Sequence, residues 1–536
     1  MNSHYKITVS QTPASGYADM RTENKSIFDR LVEYTDRFWN SRLYYPLILG
    51  IAALFMFTGH EIAGMVVMAA FAIYIQFTLP DLMAAILPAV LFLLIGTKYY
   101  NDLGYLLRLW WVVPIFAASF VFNFLRWPVH LRRGACWGSL AAVSFAALFG
   151  GVGVIPAREY FSLYGFMYGF GLGGGMLLAS VLYGTNLARP RSYDACARFA
   201  GILYAVGIFT GLVVINYYVS HRAEITPESR ILYIQFRNYL TTMLVLALPM
   251  PFRFVSRSRL HLAAVAFMYA ALLLTGSRSG LVFGTVILFA SAFFTVMSGK
   301  TLSKKSIPVI AAFSVTAAVV IFALGQTVLN SRLVDGTLFP VTDSRVMFLR
   351  QSVMDFLSNP MNGIGLANMQ NSKIFLGVGG SMVWYHNYFA QIIGSMGIVG
   401  ICAYGWLLGD RYRYLKTLHT SGETMLALGF LGILMVSMTN PGEFCPLPNE
   451  FLVVVLFNVA ETVRAARAEA TVSGETSYVV WAPARGRVKL GVYSNLSNTV
   501  SLAAGTKPLV VLPEYAEHTR STGSVGIYDR SGEARS

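Results

Sequence analysis

The chain has 536 residues, of which 55% are hydrophobic and 12% charged, with 41 Lys and Arg against 26 Asp and Glu. A soluble domain carries about 25% charged residues, so this composition and a mean hydropathy of +0.56 exclude an ordinary soluble protein and describe an all-α polytopic membrane protein. The formal charge of +15 invites a nucleic-acid partner, but the cations sit in short loops between apolar runs, which excludes that reading.

Residues 1–25 read as a polar leader without the short apolar core of a cleaved signal peptide. Next, Ile27, Leu31, Phe38 and Trp39 recur at near-helical spacing among charges. The pattern predicts an amphipathic helix on the inner membrane surface, with an ordinary polar leader as the alternative. Apolar runs near bilayer length then recur at 45–59, 62–79, 82–97, 109–126, 135–156, 161–184, 196–219, 231–250, 259–275, 279–298, 306–326, 387–408, 424–439 and 449–463. This predicts about 12–14 transmembrane helices.

Five loops, at 126–133, 189–198, 253–259, 300–305 and 411–416, hold three Lys or Arg each. Loops between them mix both signs, as with Arg222, Glu224, Glu228 and Arg230. The positive-inside rule makes the basic loops and both termini cytoplasmic. The expected domains are a cytoplasmic leader at 1–44, a membrane domain at 45–463 with a long periplasmic loop at 327–385, and a cytoplasmic tail at 464–536. The tail, regulatory or dispensable, has a strand-like run at 507–512. Cys136, Cys196, Cys402 and Cys445 form no CxxC pair and read as packing residues, with neither a disulfide framework nor a metal site.

The candidate chemistry gathers at the periplasmic ends of the later spans. Arg237, in YIQFRNYL, lies near the outer end of the eighth span and is either a phosphate contact or a snorkelling cation. In TGSRSG, Arg278 stands in a two-residue turn among small residues; its alternatives are an anion site and snorkelling to headgroups. The long loop opens a surface helix at 345–357 with Arg345 and Arg350 at its start, where an anion meets guanidinium groups and free N–H groups, and SNPMNGIG ends it. His386 and Asn387 then precede a span whose Gly394, Gly397 and Gly400 allow close helix packing. Glu443, in TNPGEFCPLPNE, either positions an acceptor hydroxyl or is a solvated loop acid, and Asp343 and Asp355 read as solvated acids. GFGLGGGM lies inside an apolar run and reads as helix packing, not a phosphate loop. Arginines with a histidine on one membrane face suit capture of a lipid pyrophosphate, and a neutral imidazole suits removal of a proton from an attacking hydroxyl.

TGSRSG, the R-x4-R helix ending in NPMNGIG, and HNYFAQIIGSMGIVG, in that order, resemble the signature of the O-antigen ligase and polysaccharide polymerase superfamily over about a quarter of the chain. The resemblance implies a metal-independent, cofactor-free glycosyltransferase of the bacterial inner membrane. Its implied reaction moves an undecaprenyl-pyrophosphate-linked glycan to an acceptor hydroxyl on the periplasmic face. It implies that Arg278 and Arg345 bind pyrophosphate and that His386 is the base; Arg237, Arg350, Asn387 and Glu443 are accessory candidates from the reading of the residues above. The implied partners are the lipid-linked oligosaccharide, an acceptor glycan on lipid or lipid A core, membrane lipid, a flippase and a chain-length regulator. A polymerase is preferred over a ligase because nothing marks a core or protein acceptor; a flippase for the same precursors is the alternative function.

Overall fold

The computed structural model describes residues 27–99 and 109–297, apart from 110, 129, 156–157, 162, 190–192, 227–230 and 235, together with 344–366, 384–472 apart from 419 and 441, and five short strands between 478 and 535. The membrane domain is helical throughout these residues. In chain order the helices are α1 (Ile27–Trp39), α2 (Tyr44–Phe57), α3 (Glu61–Thr78), α4 (Met83–Ile95), α5 (Val112–Arg126), α6 (Trp137–Ala146), α7 (Leu163–Phe170), α8 (Met176–Leu187) and α9 (Ala195–Ser220). They continue as α10 (Arg237–Ala247), α11 (Leu260–Leu274), α12 (Arg278–Met297), α13 (Ser344–Ser358), α14 (Tyr388–Leu415), α15 (Ser421–Ser437) and α16 (Phe451–Val472). A helix stands over every predicted span except 306–326, which lies outside the described residues, as do 327–343 and 367–383 of the long loop.

Among the described residues five helices are long and apolar enough to cross a membrane, and the other apolar helices run 10–17 residues. The chain is thus a multi-pass membrane protein whose spans are partly built from shorter or broken helices. α6 and α7 both run into π-helical turns, at Ala147–Gly151 and Gly171–Gly175. α1 meets α2 at 90°. Trp39 anchors it by donating its indole N–H to Asp81 at 3.2 Å, and the Arg198 guanidinium lies 4.3 Å over the Trp39 ring. Ile27 and Tyr34 stay exposed on its other side.

The core runs along α9, which packs against α2, α4, α10, α11, α15 and α16. Buried polar side chains within it hydrogen-bond to backbone, since lipid offers no water to do so. Asn123, for instance, donates to the carbonyls of Gln76 and Leu79 at 2.7 and 2.6 Å. Helix starts follow local chemistry: Asp194 accepts the Cys196 N–H to cap α9, and Thr420 with Glu423 forms a capping box on α15.

Beyond α16 the chain changes class. β1 (Tyr478–Ala484) pairs antiparallel with β2 (Arg487–Tyr493) and with β3 (Leu509–Val511). The strand-like run at 507–512 therefore holds β3. Its partner β1 carries the β-branched and aromatic residues that favour pleated pairing.

Two sequence expectations are corrected here. Arg411, counted among the cations of a cytoplasmic loop at 411–416, lies inside α14 with 1% of its surface exposed. Glu443 and Asp355, expected as solvated acids, are 2% and 0% exposed. In each case a partner distant in sequence accommodates the buried charge.

Candidate functional site

The TGSRSG turn links α11 to α12. The Tyr218 hydroxyl donates to the Leu274 carbonyl at 2.8 Å, and Gly276 takes φ +65°, the left-handed turn that ends α11. The Ser277 hydroxyl accepts the Gly280 N–H at 3.3 Å, capping α12 and making the exposed Arg278 its first residue. Thr275 shares a 3.1 Å hydroxyl contact with Thr241, one turn into α10. Arg237, the first residue of α10, lies 4.6 Å over the Tyr233 ring.

α13 opens at Ser344 with Arg345 in its first turn. It buries Phe348, Gln351, Ser352 and Asp355 and turns Leu349, Val353 and Leu357 outward. Asp355 accepts from the Tyr385 hydroxyl at 2.6 Å and from Gln351 Nε2 at 2.8 Å. The Tyr385 N–H donates to Gln391 Oε1 at 3.1 Å. Next to this buried tyrosine, His386 takes φ +52°, a strained backbone for a side chain of its size. Its ring lies 5.4 Å from that of Phe348. Burial, and secondarily the positive charge of Arg345, push the imidazole down to about 4, so it is neutral near pH 7.

Asn387 caps α14, its Oδ1 accepting the Ala390 N–H at 3.0 Å. Its Nδ2 donates to the Met438 carbonyl at 2.8 Å. Two residues later Asn440 Nδ2 donates to the Ser279 hydroxyl at 2.6 Å. One short stretch, 438–440, therefore holds the neighbour of His386 and the neighbour of Arg278.

α14 is broken within the matching glycine run. Gly397 takes φ +58° and ψ −150°, outside any helix, and the halves on either side fold toward each other. Tyr388 and Tyr404, 16 positions apart, would lie about 24 Å apart along a straight helix, yet their rings are 5.9 Å apart. The SNPMNGIG loop covers the backbone groups that the break frees. Ile364 and Gly365 donate N–H bonds to the carbonyls of Gly394 and Ser395 at 3.0 and 2.9 Å, and Ile398 donates to the Pro360 carbonyl at 2.8 Å. A Cβ on Gly397 would fall 2.4 Å from the Pro360 oxygen, and one on Gly363 2.3 Å from the Ser395 carbonyl carbon.

Arg345 acts on the His386 ring, 438–440 links Asn387 to Ser279 next to Arg278, and Arg237 stands one turn before Thr241, which touches Thr275. Arg350 is exposed and sits about 140° around α13 from Arg345, so the two do not share one face. Glu443 faces Arg411 instead of this surface. α10, α12 and α13 each carry an arginine in the first turn, and a helix N-terminus favours an anion. Tyr385, Gln391 and Phe348, which shape the His386 turn, were not singled out as site residues, and Asp355 was read as a solvated acid; an acid among apolar helix positions was the available signal.

Residues 263–405 match the family model described as O-antigen ligase, which supports the O-antigen ligase superfamily. No curated protein matches the chain. The matched segment contains the TGSRSG turn, α13, the His386 turn and both sides of the Gly397 break.

Proposed function

We propose, on the premise that residues 263–405 form an O-antigen ligase domain, that this membrane protein transfers a glycan from an undecaprenyl-pyrophosphate carrier to an acceptor hydroxyl at the periplasmic face, as a polymerase in preference to a ligase. The observation that carries this reading is the neutral, half-buried His386 set beside Arg345 and tied through 438–440 to the turn holding Arg278.

Arg278 and Arg345 grip the pyrophosphate, with Arg237 as a third contact. As the bond from the anomeric carbon to the pyrophosphate oxygen breaks, negative charge grows on the leaving group where the guanidinium groups already stand. The acceptor oxygen forms the new glycosidic bond, its proton passes to His386, and direct displacement inverts the anomeric centre. The depressed basicity of His386 suits this order of events. A pyrophosphate on Arg345 cancels the repulsion that disfavours the protonated ring, so the base strengthens when the donor binds.

Glycan product in a deletion strain complemented with wild type, His386→Ala or Arg278→Ala, at matched membrane levels, tests the reading. Both variants are expected to lose product by about 10² or more, with lipid-linked precursor accumulating at the periplasmic face. Single-repeat precursors mark a polymerase and finished chains a ligase. Wild-type product from both variants would overturn the assignment.

A further inference from the structure

Beneath the 438–440 stretch lies a charged cluster that the transfer reaction does not use. Arg411, Glu443 and Glu450 are 1%, 2% and 4% exposed. Arg411 Nη1 donates to Glu443 and Nη2 to Glu450, while its guanidinium lies 5.6 and 5.3 Å from the ring centres of Phe430 and Phe457. A buried ionic cluster is weak evidence for stability, because apolar residues of similar volume often serve as well; its attested use is to fix one arrangement.

The connections upward show which arrangement is fixed. The Glu443 N–H donates to the Ser437 hydroxyl at 2.9 Å, which clamps the end of α15 just before Met438. Asn449 Nδ2 donates to the Gly442 carbonyl at 2.8 Å and closes the loop on itself. Phe444 sets its ring 5.2 Å from Tyr388 and 5.4 Å from Tyr404, against both halves of the broken α14. Tyr388 follows Asn387 and His386 directly in the chain. The stretch from Met438 to Phe444 is therefore held by Arg411 below and holds the Arg278 and His386 turns above.

We propose that the Arg411–Glu443–Glu450 cluster is a positioning device that sets the placement of the His386 turn relative to the Arg278 turn. Glu443 is the positioning residue, acting through the 438–444 segment and Tyr388. The proposal rests on the transferase reading for its consequence in turnover, but its geometric claim is independent of it.

Glu443→Ala leaves Arg411 paired one-to-one with Glu450, with no buried charge uncompensated, so the chain should still fold. The His386 imidazole is followed by NMR in the full-length protein with labelled histidine, assigned against His386→Ala. Arg345 is the charged group identified as acting on that ring, and it is unchanged in these variants. With the clamp released, His386 gains water and its titration should rise from about 4 by about one unit or more toward the ordinary value near 6.5. Glu443→Gln, which keeps an acceptor for Arg411, should restore the low titration. Turnover in Glu443→Ala should fall about 10- to 10²-fold, the effect of a small misplacement of reacting groups.

A folded Glu443→Ala protein whose His386 titrates as in wild type overturns the proposal. If Glu443→Ala does not accumulate in the membrane, Phe444→Leu loosens the same contact without touching a charge, and an unchanged titration there overturns it equally. A moved titration with unchanged turnover upholds the positioning role and removes His386 as the base instead.

Discussion

His386 carries an imidazole held neutral by burial and by Arg345 in a left-handed backbone turn. Because the folded value is depressed, protonation is lost at every pH above about 4. The acid limb of the kcat/KM profile, which reports the free enzyme, is therefore expected well below the 6.5 of a free imidazole. Inorganic pyrophosphate should raise the His386 titration measured by NMR, and Arg345→Gln should raise it without pyrophosphate; an unchanged value in both would show that Arg345 does not act on the ring. Asp355 offers a second test. Asp355→Ala strands the buried Tyr385 hydroxyl at a cost of about 1–3 kcal/mol, read as a lowered unfolding midpoint in detergent, whereas Asp355→Asn keeps an acceptor and should lose less. The TGSRSG turn and the start of α14 were legible in the sequence because each is a short polar motif beside an apolar run. Asp355, Arg411 and Glu443 were not, because a charge count near span ends treats every ionised side chain as solvated, and only the fold shows which charges find partners across 30 or more positions.

Among the elements, α14 shows how far periodicity reaches. Its apolar run predicted a helix at 387–408, and the helix is there, but GSMGIVG read as a surface for close packing. The structure uses the same glycines to break the helix and let a neighbouring loop bond into the gap. Nothing local distinguishes these outcomes, since both need small residues; the second also needs a loop with free backbone groups, which SNPMNGIG supplies. Gly397→Ala must place a side chain in a backbone region open almost only to glycine, at about 1–3 kcal/mol, and against the Pro360 oxygen. The expected result is a lower thermal midpoint together with lost turnover. Gly405→Ala, where a Cβ meets nothing within 4 Å, should leave the midpoint unchanged.

For the whole molecule, the composition and the apolar runs were sufficient for the all-α, multi-pass class, because a bilayer admits few alternatives. The exact count of spans was less legible: several apolar segments are only 10–17 residues long as helices, and hydropathy does not report where a helix bends. In chain order the sheet follows α16, outside the residues 263–405 that match the family model. Truncation after Val472 should therefore leave membrane accumulation and glycan product unchanged; loss of product in a stable truncated protein would make the tail part of the working enzyme.

The exchange of backbone hydrogen bonds between SNPMNGIG and the Gly397 break also bears on grafting. Residues 360–365 and 394–399 complete each other's main-chain pairing, so neither half of the motif is a portable module. A chimera that takes one segment from another transferase and the other from this chain inherits two mismatched halves, whereas one that takes both inherits a single joint.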